Sequence, residues 1–324
     1  MPHSAAAVDL PGDLSVRPER SAEGSALLGF ALARPQPGLA GCGLAWLGGD
    51  LREECWYADA AVTTGAVGDI TWRRAGELLF LALEQPDDPA SDPNQAVEAA
   101  YGRLLSVAAE AGCRQLLRAW NYLPAINEGD GDAERYRRFC LGRAAALEKA
   151  GYGERELCAG TAIGGDEPRL RIYLLCAPEP GINIENPRQV SAFRYPREYG
   201  PRSPSFARAT AVGGPGDSAL LMISGTASVV GHRTLHAGDV EAQLAEVVRN
   251  LETLLSEAAG QLGRPGLGDF DADSLLRVYL RHAGDWPLVE QRLRARWPEA
   301  RLAGLRGDVC RRDLLVEIEA VSRG

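Results

Sequence analysis

Lysine is almost missing from this chain. Lys149 is the only one in 324 residues, and arginine supplies the rest of the 35 basic side chains. Histidine is scarce as well, with His3, His232, His236 and His282, and none falls in an H-E-x-x-H pattern. His232 and His236 have the i, i+4 spacing of a helical metal pair, but Gly238 and the turn-like residues around them argue against a helix there. The seven cysteines (Cys42, Cys55, Cys113, Cys140, Cys158, Cys176, Cys310) never form a C-x-x-C pair, and most lie in apolar surroundings. That speaks against a zinc site or a disulfide framework and for a reduced, cytoplasmic protein. No apolar run approaches the roughly 18 residues that suggest a membrane span. The N-terminus also lacks the basic start and apolar block of a secretory signal.

The balance of charge is acidic, at −9. This disfavours nucleic acid or an anionic membrane surface as the main partner, while leaving room for a local basic pocket. Apolar residues make up 45% and charged residues 24%, as in ordinary globular proteins, and the length allows two domains. Arginine suits bidentate recognition of carboxylates, although an arginine excess is also what coding bias leaves behind.

Residues 1–24 are polar and rich in Pro and Ala, and are expected to form a loose arm. Residues 26–48 hold short apolar pieces punctuated by Gly and Pro, as in strands or hairpins. A pattern then begins that occurs twice. Residues 78–83 read as a buried strand, 94–111 as a helix ended by Gly112, and 115–122 as a second strand. Asp132 is a candidate N-cap for a helix reaching Ala150, and 170–177 is a third strand. In the second half, residues 220–224 form a strand and Asp239 caps a helix that Gly260 closes. Residues 274–282 form a strand, Asp285-Trp286-Pro287 starts a short helix, and 313–321 is the last strand. Each half therefore reads β-α-β-α-β, and the middle strands share Leu-Leu-Arg at Leu116-Leu117-Arg118 and Leu275-Leu276-Arg277. The expected fold is α+β, with two similar units side by side: residues 25–180, and residues 181–324 carrying the active site.

Three stretches carry chemistry. Residues 220–239, LLMISGTASVVGHRTLHAGD, run from a buried strand into small hydroxyl and glycine residues (Ser224, Gly225, Thr226, Ala227), which let a ligand lie close to the backbone. Residues 189–208, QVSAFRYPREYGPRSPSFAR, place four arginines among Phe193, Tyr195, Tyr199 and Phe206. Three prolines stiffen this loop, whose arginine forks and tyrosine hydroxyls suit a small, planar dianion; solvated surface arginines are the plainer alternative. The third stretch, DVCRRDLLVEIEA, puts Leu314, Val316 and Ile318 on one face of a strand and Glu317 and Glu319 on the other. An inward carboxylate is costly unless paired or functional, so Glu317 is a candidate general acid, with Glu319 expected to reach solvent.

The segments SGTASVVGH, HAGDVEAQLAEVVRNLETLL and CRRDLLVEIEA resemble the fold of the RidA (YjgF) enamine/imine deaminases. With RAWNYLPAIN, ERYRRFCLGR and FRYPREYGPRSPSFARA, the chain from about Leu78 onward looks like the chorismatase family. That resemblance implies two RidA/chorismate-mutase-like β-α-β-α-β units, pseudo-duplicated, acting on chorismate without a cofactor or metal. The expected reaction removes pyruvate, with Glu317 protonating the enolpyruvyl ether. Tyr122, Arg143, Tyr195, Arg202, Arg208 and the Ser224–Gly225–Thr226–Ala227 segment are the expected substrate-binding residues. A cysteine at the position of Cys310 goes with the 3-hydroxybenzoate branch, and the pigment-associated relatives make 4-hydroxybenzoate as well. Ala227, where a glycine would match that branch more cleanly, keeps hydrolysis to a dihydroxycyclohexadiene carboxylate open. A RidA-like imine deaminase and a non-catalytic binding protein are the other classes. Neither the sequence nor the resemblance decides between monomer and homo-oligomer.

Overall fold

The structure is a computed structural model that describes residues 14–18, 25–213 and 219–324. A small sheet comes first, with β1 (Ser15–Arg17), β2 (Leu28–Ala31), β3 (Ala40–Gly41) and β5 (Glu53–Tyr57); β4 (Ala45–Gly49) leaves it to join another sheet. The expected loose arm lies mostly outside the described residues, but Ser15–Arg17 is not loose: it pairs antiparallel with β5.

The first unit follows with β6 (Val62–Val67), β7 (Ile70–Ala75), β8 (Leu78–Pro86), α1 (Asn94–Glu110), β9 (Gln115–Pro124), α2 (Arg135–Lys149), β10 (Ala159–Gly165) and β11 (Arg169–Ala177). The second has β12 (Ile182–Ile184), β13 (Ala209–Val212), β14 (Leu220–Ala227), the short hairpin β15 (Val229–Val230) and β16 (Arg233–Thr234), and α3 (Val240–Leu262). It ends with β17 (Leu275–Leu280), α4 (Trp286–Arg296), β18 (Arg301–Arg306) and β19 (Val316–Arg323). The first sheet runs β10-β9-β11-β8-β7-β6 and the second β18-β17-β19-β14-β13-β12, with β4 added outside β18. The two orders correspond strand for strand, and among the described residues the parallel pair in each is the one at the β10 or β18 end.

Each half thus brings its sheet three strands more than the sequence reading: β6, β7 and β10 in the first, and β12, β13 and β18 in the second. The two that fall inside the β-α-β-α-β order, β10 (AGTAIGG) and β18 (RLAGLR), are glycine-bearing and lack a long apolar run. Their glycines admit close neighbours. A Cβ on Gly164 would lie 2.4 Å from Ile126 Cγ2, and one on Gly304 would lie 2.4 Å from the Trp286 ring. Helix ends also differ. Asp132 sits in a 3-10 turn and binds Arg197 at 2.8 and 2.6 Å instead of capping, so α2 starts at Arg135. Asp239 caps α3 as expected, accepting the Ala242 N–H at 3.0 Å. That helix runs past Gly260 to Gly263, whose φ of 65° suits glycine. The last strand starts at Val316, not Asp313.

Each sheet is covered by its own helices. Val97, Tyr101, Leu104, Phe139 and Leu147 pack on the first, and Leu244, Val247, Leu251, Leu254 and Val289 on the second. The helix-free faces share one core with the small sheet, where Leu117, Trp120, Tyr173, Met222, Leu275 and Leu305 meet Phe30 and Trp56. Within this layer lies a fully buried ion network. Arg277 binds Glu54 at 2.8 Å and Glu319 at 3.2 Å, and Arg118 binds Glu319 at 2.7 Å. The two arginines of the repeated Leu-Leu-Arg thus converge on one carboxylate. This overturns the expectation that Glu319 reaches solvent, since a carboxylate between two guanidiniums is neutralised where it stands.

Breaking this network should be costly. Arg277→Met leaves Glu54 without its guanidinium and removes one of the two on Glu319, and is expected to lose about 3–5 kcal/mol in urea unfolding. Arg103→Ala, which breaks an exposed pair with Asp69, should lose under about 1 kcal/mol.

Candidate active site

A cavity of about 620 Å³ opens where the two units meet, within the usual size of a small-molecule site. Its walls come from α2 (Tyr136, Phe139, Cys140, Arg143), β10 (Gly160, Thr161), the loop ahead of β13 (Tyr195, Tyr199, Phe206, Arg208), β14 (Gly225, Ala227) and the segment into β19 (Cys310, Arg311, Leu314, Glu317). The site is therefore shared between the units and does not belong to residues 181–324 alone.

Glu317 forms part of the wall, and its position follows from the β14–β19 ladder. The strands pair antiparallel with Ala227 opposite Glu317, and a bulge at Ser224 and Gly225 sets two residues against Glu319. Gly225 is needed at that bulge, because a Cβ there would fall 1.9 Å from Glu317 Oε1. Only 5% of Glu317 is exposed. Burial, then the negative charge of Glu319, push its carboxyl up to about 8, against the pull of Arg118 and Arg208. It is thus mostly protonated at neutral pH. Cys310 lies in the same wall, its thiol pushed up to about 12 by burial and then by Glu317. A thiol raised in this way is seldom ionised at neutral pH.

Of the six arginines that line the cavity, Arg143 and Arg208 are buried. Arg143 is buried and stacks over Tyr101 at 5.3 Å, and its Nε has no hydrogen-bond partner among the described residues. Arg208, also buried, donates from Nη2 to Val190 O and Tyr195 Oη, both at 2.8 Å, and its Nε is likewise unpartnered among the described residues. Buried cations with free donors favour an anionic occupant. Arg311 braces the rim, lying 4.1 Å over the Tyr199 ring and 5.3 Å over that of Tyr195. Among the described residues no group of His, Cys, Asp and Glu is arranged to hold a metal ion, and no helix is long and apolar enough to cross a membrane.

Comparison with known proteins fits this geometry. The family model for chorismatases described as FkbO/Hyg5-like, N-terminal, matches residues 54–176. A 3-hydroxybenzoate synthase of Streptomyces hygroscopicus is 38% identical over 83% of this chain and 80% of its own length. A chorismatase of Streptomyces rapamycinicus is 38% identical over 83% of this chain and 81% of its own. The chain belongs to the chorismatase family. A crystal structure of a chorismatase superposes with a TM-score of 0.81 at 32% identity, covering 96% of this chain and 98% of that one.

Within this chorismatase fold the sequence-derived residues divide into two groups. Glu317, Cys310, Arg143, Tyr195, Arg208, Gly225 and Ala227 line the cavity. Arg202 does not: its side chain is 43% exposed and pairs with Glu148 on α2. Tyr122 is also elsewhere, buried in the shared core with its hydroxyl near those of Tyr279 (3.3 Å) and the Nη1 of Arg277 (3.1 Å). Ser224 and Thr226 are buried beside the cavity and shape the backbone. Ser224 Oγ donates to Ala207 O at 2.5 Å and accepts from Gly160 N at 2.8 Å, while Thr226 Oγ1 donates to Ser224 O at 2.9 Å. Sequence reading missed Thr161, Gly160, Phe206 and Arg311 as wall residues. Phe206 and Arg311 stand within stretches it had singled out, but nothing in AGTAIGG marks Thr161.

The raised carboxyl has a consequence for stability. The folded protein holds the Glu317 proton where the unfolded chain, near the ordinary 4.5, has released it. This contribution is complete below about 4.5 and is lost as pH rises toward 8. Glu317→Gln abolishes the loss. Its melting temperature should match the wild type near about pH 5 and exceed it near about pH 9; equal melting temperatures at both would show that the carboxyl is not raised.

Proposed function

We propose that this protein removes pyruvate from chorismate and releases 3-hydroxybenzoate. The observation that carries the reading is one buried carboxyl, Glu317, in a cavity that also presents two buried arginines with free donors. Chorismate bears two carboxylates, which Arg143 and Arg208 suit, and an enolpyruvyl ether, which needs an acid. The proton passes from the Glu317 carboxyl to the methylene carbon of the ether, forming a C–H bond and leaving an oxocarbenium ion. The neighbouring ring hydroxyl gives its proton to the Glu317 carboxylate and attacks the ring carbon that bears the activated ether. That carbon–oxygen bond breaks, and its electron pair stays on the oxygen that becomes the carbonyl of the departing pyruvate. Opening of the resulting epoxide, with loss of the proton on that ring carbon, makes the ring aromatic; the products together hold the atoms of chorismate with no water consumed. The aromatic walls, Phe206 and Tyr195, exclude the water that would otherwise capture the cation. Cys310 fills the wall beside Glu317 and favours attack by the ring hydroxyl. A reduced, cytoplasmic setting fits the seven free thiols.

The decisive experiment incubates purified protein with chorismate and follows pyruvate and aromatic products by chromatography. Pyruvate with 3-hydroxybenzoate is expected. A dihydroxycyclohexadiene carboxylate in its place would show water capture, and absence of pyruvate would end the proposal.

Variants assign the roles. Glu317→Gln keeps the shape but not the proton, and turnover should fall at least about a hundredfold while chorismate still binds. Arg143→Ala and Arg208→Ala should each weaken transition-state binding by about 2–5 kcal/mol, whereas Arg202→Ala should leave kcat/KM within about threefold. Cys310→Ala should keep releasing pyruvate but shift product away from 3-hydroxybenzoate; loss of pyruvate release in the folded variant would contradict the shaping role.

A further inference from the structure

Arg118 stands behind the cavity wall and is not among the side chains that line it. It is 2% exposed. Its Nη2 donates to Thr161 Oγ1 and to Glu319 Oε2, both at 2.7 Å, and its guanidinium lies 5.1 Å over the Trp120 ring. Its Nη1 is buried with no hydrogen-bond partner among the described residues. An unpaired donor inside a protein is costly and calls for an acceptor. The free donors of Arg143 and Arg208 belong to residues that line the cavity, where a ligand supplies the acceptor. Arg118 is screened from a ligand by the wall it supports.

Within the protein, Glu317 is a carboxyl whose ionised form the Arg118 charge favours. Thr161 Oγ1, held by Arg118, accepts the Gly225 N–H at 3.1 Å, and Gly225 is the residue against which the Glu317 carboxyl packs. We propose that Arg118 is a positioning residue whose Nη1 receives the Glu317 carboxylate formed when the proton is given up, and that Glu319 fixes Arg118 for this task. The inference rests on Glu317 being the acid. As the Glu317 O–H bond breaks, its electron pair stays on the carboxylate, and the new C–H bond takes its electrons from the enol ether. The negative charge therefore appears beside a guanidinium already in place, with no solvent to reorganise.

Other ionisable groups face Glu317: Tyr279 across the ladder from β17, Arg208 from the loop before β13, Cys310 from the segment into β19, and Tyr136 and Arg143 from α2. Of the charged ones, Arg118 and Glu319 alone are bonded to each other away from the substrate. They act on Glu317 in opposite senses, Arg118 favouring its carboxylate and Glu319 its protonated form.

The test uses full-length Arg118→Met, Arg118→Lys and Glu319→Gln. Titration of Glu317 is read from the infrared carbonyl band of its protonated carboxyl, identified by its loss in Glu317→Gln. In Arg118→Met the midpoint should move to higher pH, with kcat down at least about tenfold and KM for chorismate within about threefold. Arg118→Lys should bring both back toward wild type, and Glu319→Gln should move the midpoint lower. An unmoved midpoint, shifts of the same sign in Arg118→Met and Glu319→Gln, or a KM raised about tenfold at constant kcat would each overturn the inference. If Arg118→Met does not fold, the sign of the Glu319→Gln shift decides. Should Glu317→Gln turn over at the wild-type rate, it is the assignment of the acid that fails, and the titration shifts report separately whether Arg118 and Glu319 govern that carboxyl.

Discussion

The interaction on which the rest depends is the clasp of Glu319 by Arg118 and Arg277. One arginine comes from each unit, so a single carboxylate ties the two sheets together inside the core they share. With Glu54 on Arg277, the network holds two negative and two positive charges and is neutral as a whole. That neutrality matters two residues away. A surplus of buried positive charge would draw the proton from Glu317, and a surplus of negative charge would make its carboxylate unreachable. Beside a balanced network burial is the largest influence on the carboxyl and raises it, with Glu319 adding to that and Arg118 opposing it.

The duplicated topology makes it possible to ask why there is a single such carboxyl. In the first unit, β11 lies against β9 as β19 lies against β17, and the ladder sets Tyr173 across from Trp120 just as Glu317 lies across from Tyr279. Tyr173 therefore stands where Glu317 stands in the other unit. Its hydroxyl donates toward Gly41 O and Glu84 Oε1, at 2.8 and 2.6 Å, and its ring packs on Phe30. The small N-terminal sheet and β4 occupy that side, so one equivalent position has become core and the other has kept a cavity.

What could be read from sequence follows the range of the interactions involved. Helices α1, α3 and α4 and the apolar strands carry their own periodicity, and the Ser-Gly bulge against the Glu-bearing strand is local to two segments. The glycine-bearing strands β10 and β18 are set by neighbours distant in sequence, such as Ile126 and Trp286, and no local pattern announces them. The arginine loop shows the same limit. Arg202 and Arg208 look alike in sequence, yet Glu148 on α2 holds the first outside while Tyr195 and Val190 hold the second within. Glu319 and Glu317 share a strand face, and only the arrival of two arginines from separate strands makes one an ion-pair centre and the other an acid. The repeated Leu-Leu-Arg was the visible trace of that arrangement.

The loop that closes the cavity is fastened from outside. Arg194 pairs with Glu154, Arg197 with Asp132 and Arg202 with Glu148, and all six side chains are more than two-fifths exposed. Pairs in that position are weakened by dissolved salt over a Debye length of about 8–10 Å, whereas a buried network is screened far less. Ionic strength therefore acts on how firmly the loop is fastened and hardly at all on the acid beneath it. Access to the site and the chemistry within it answer to different properties of the surrounding medium.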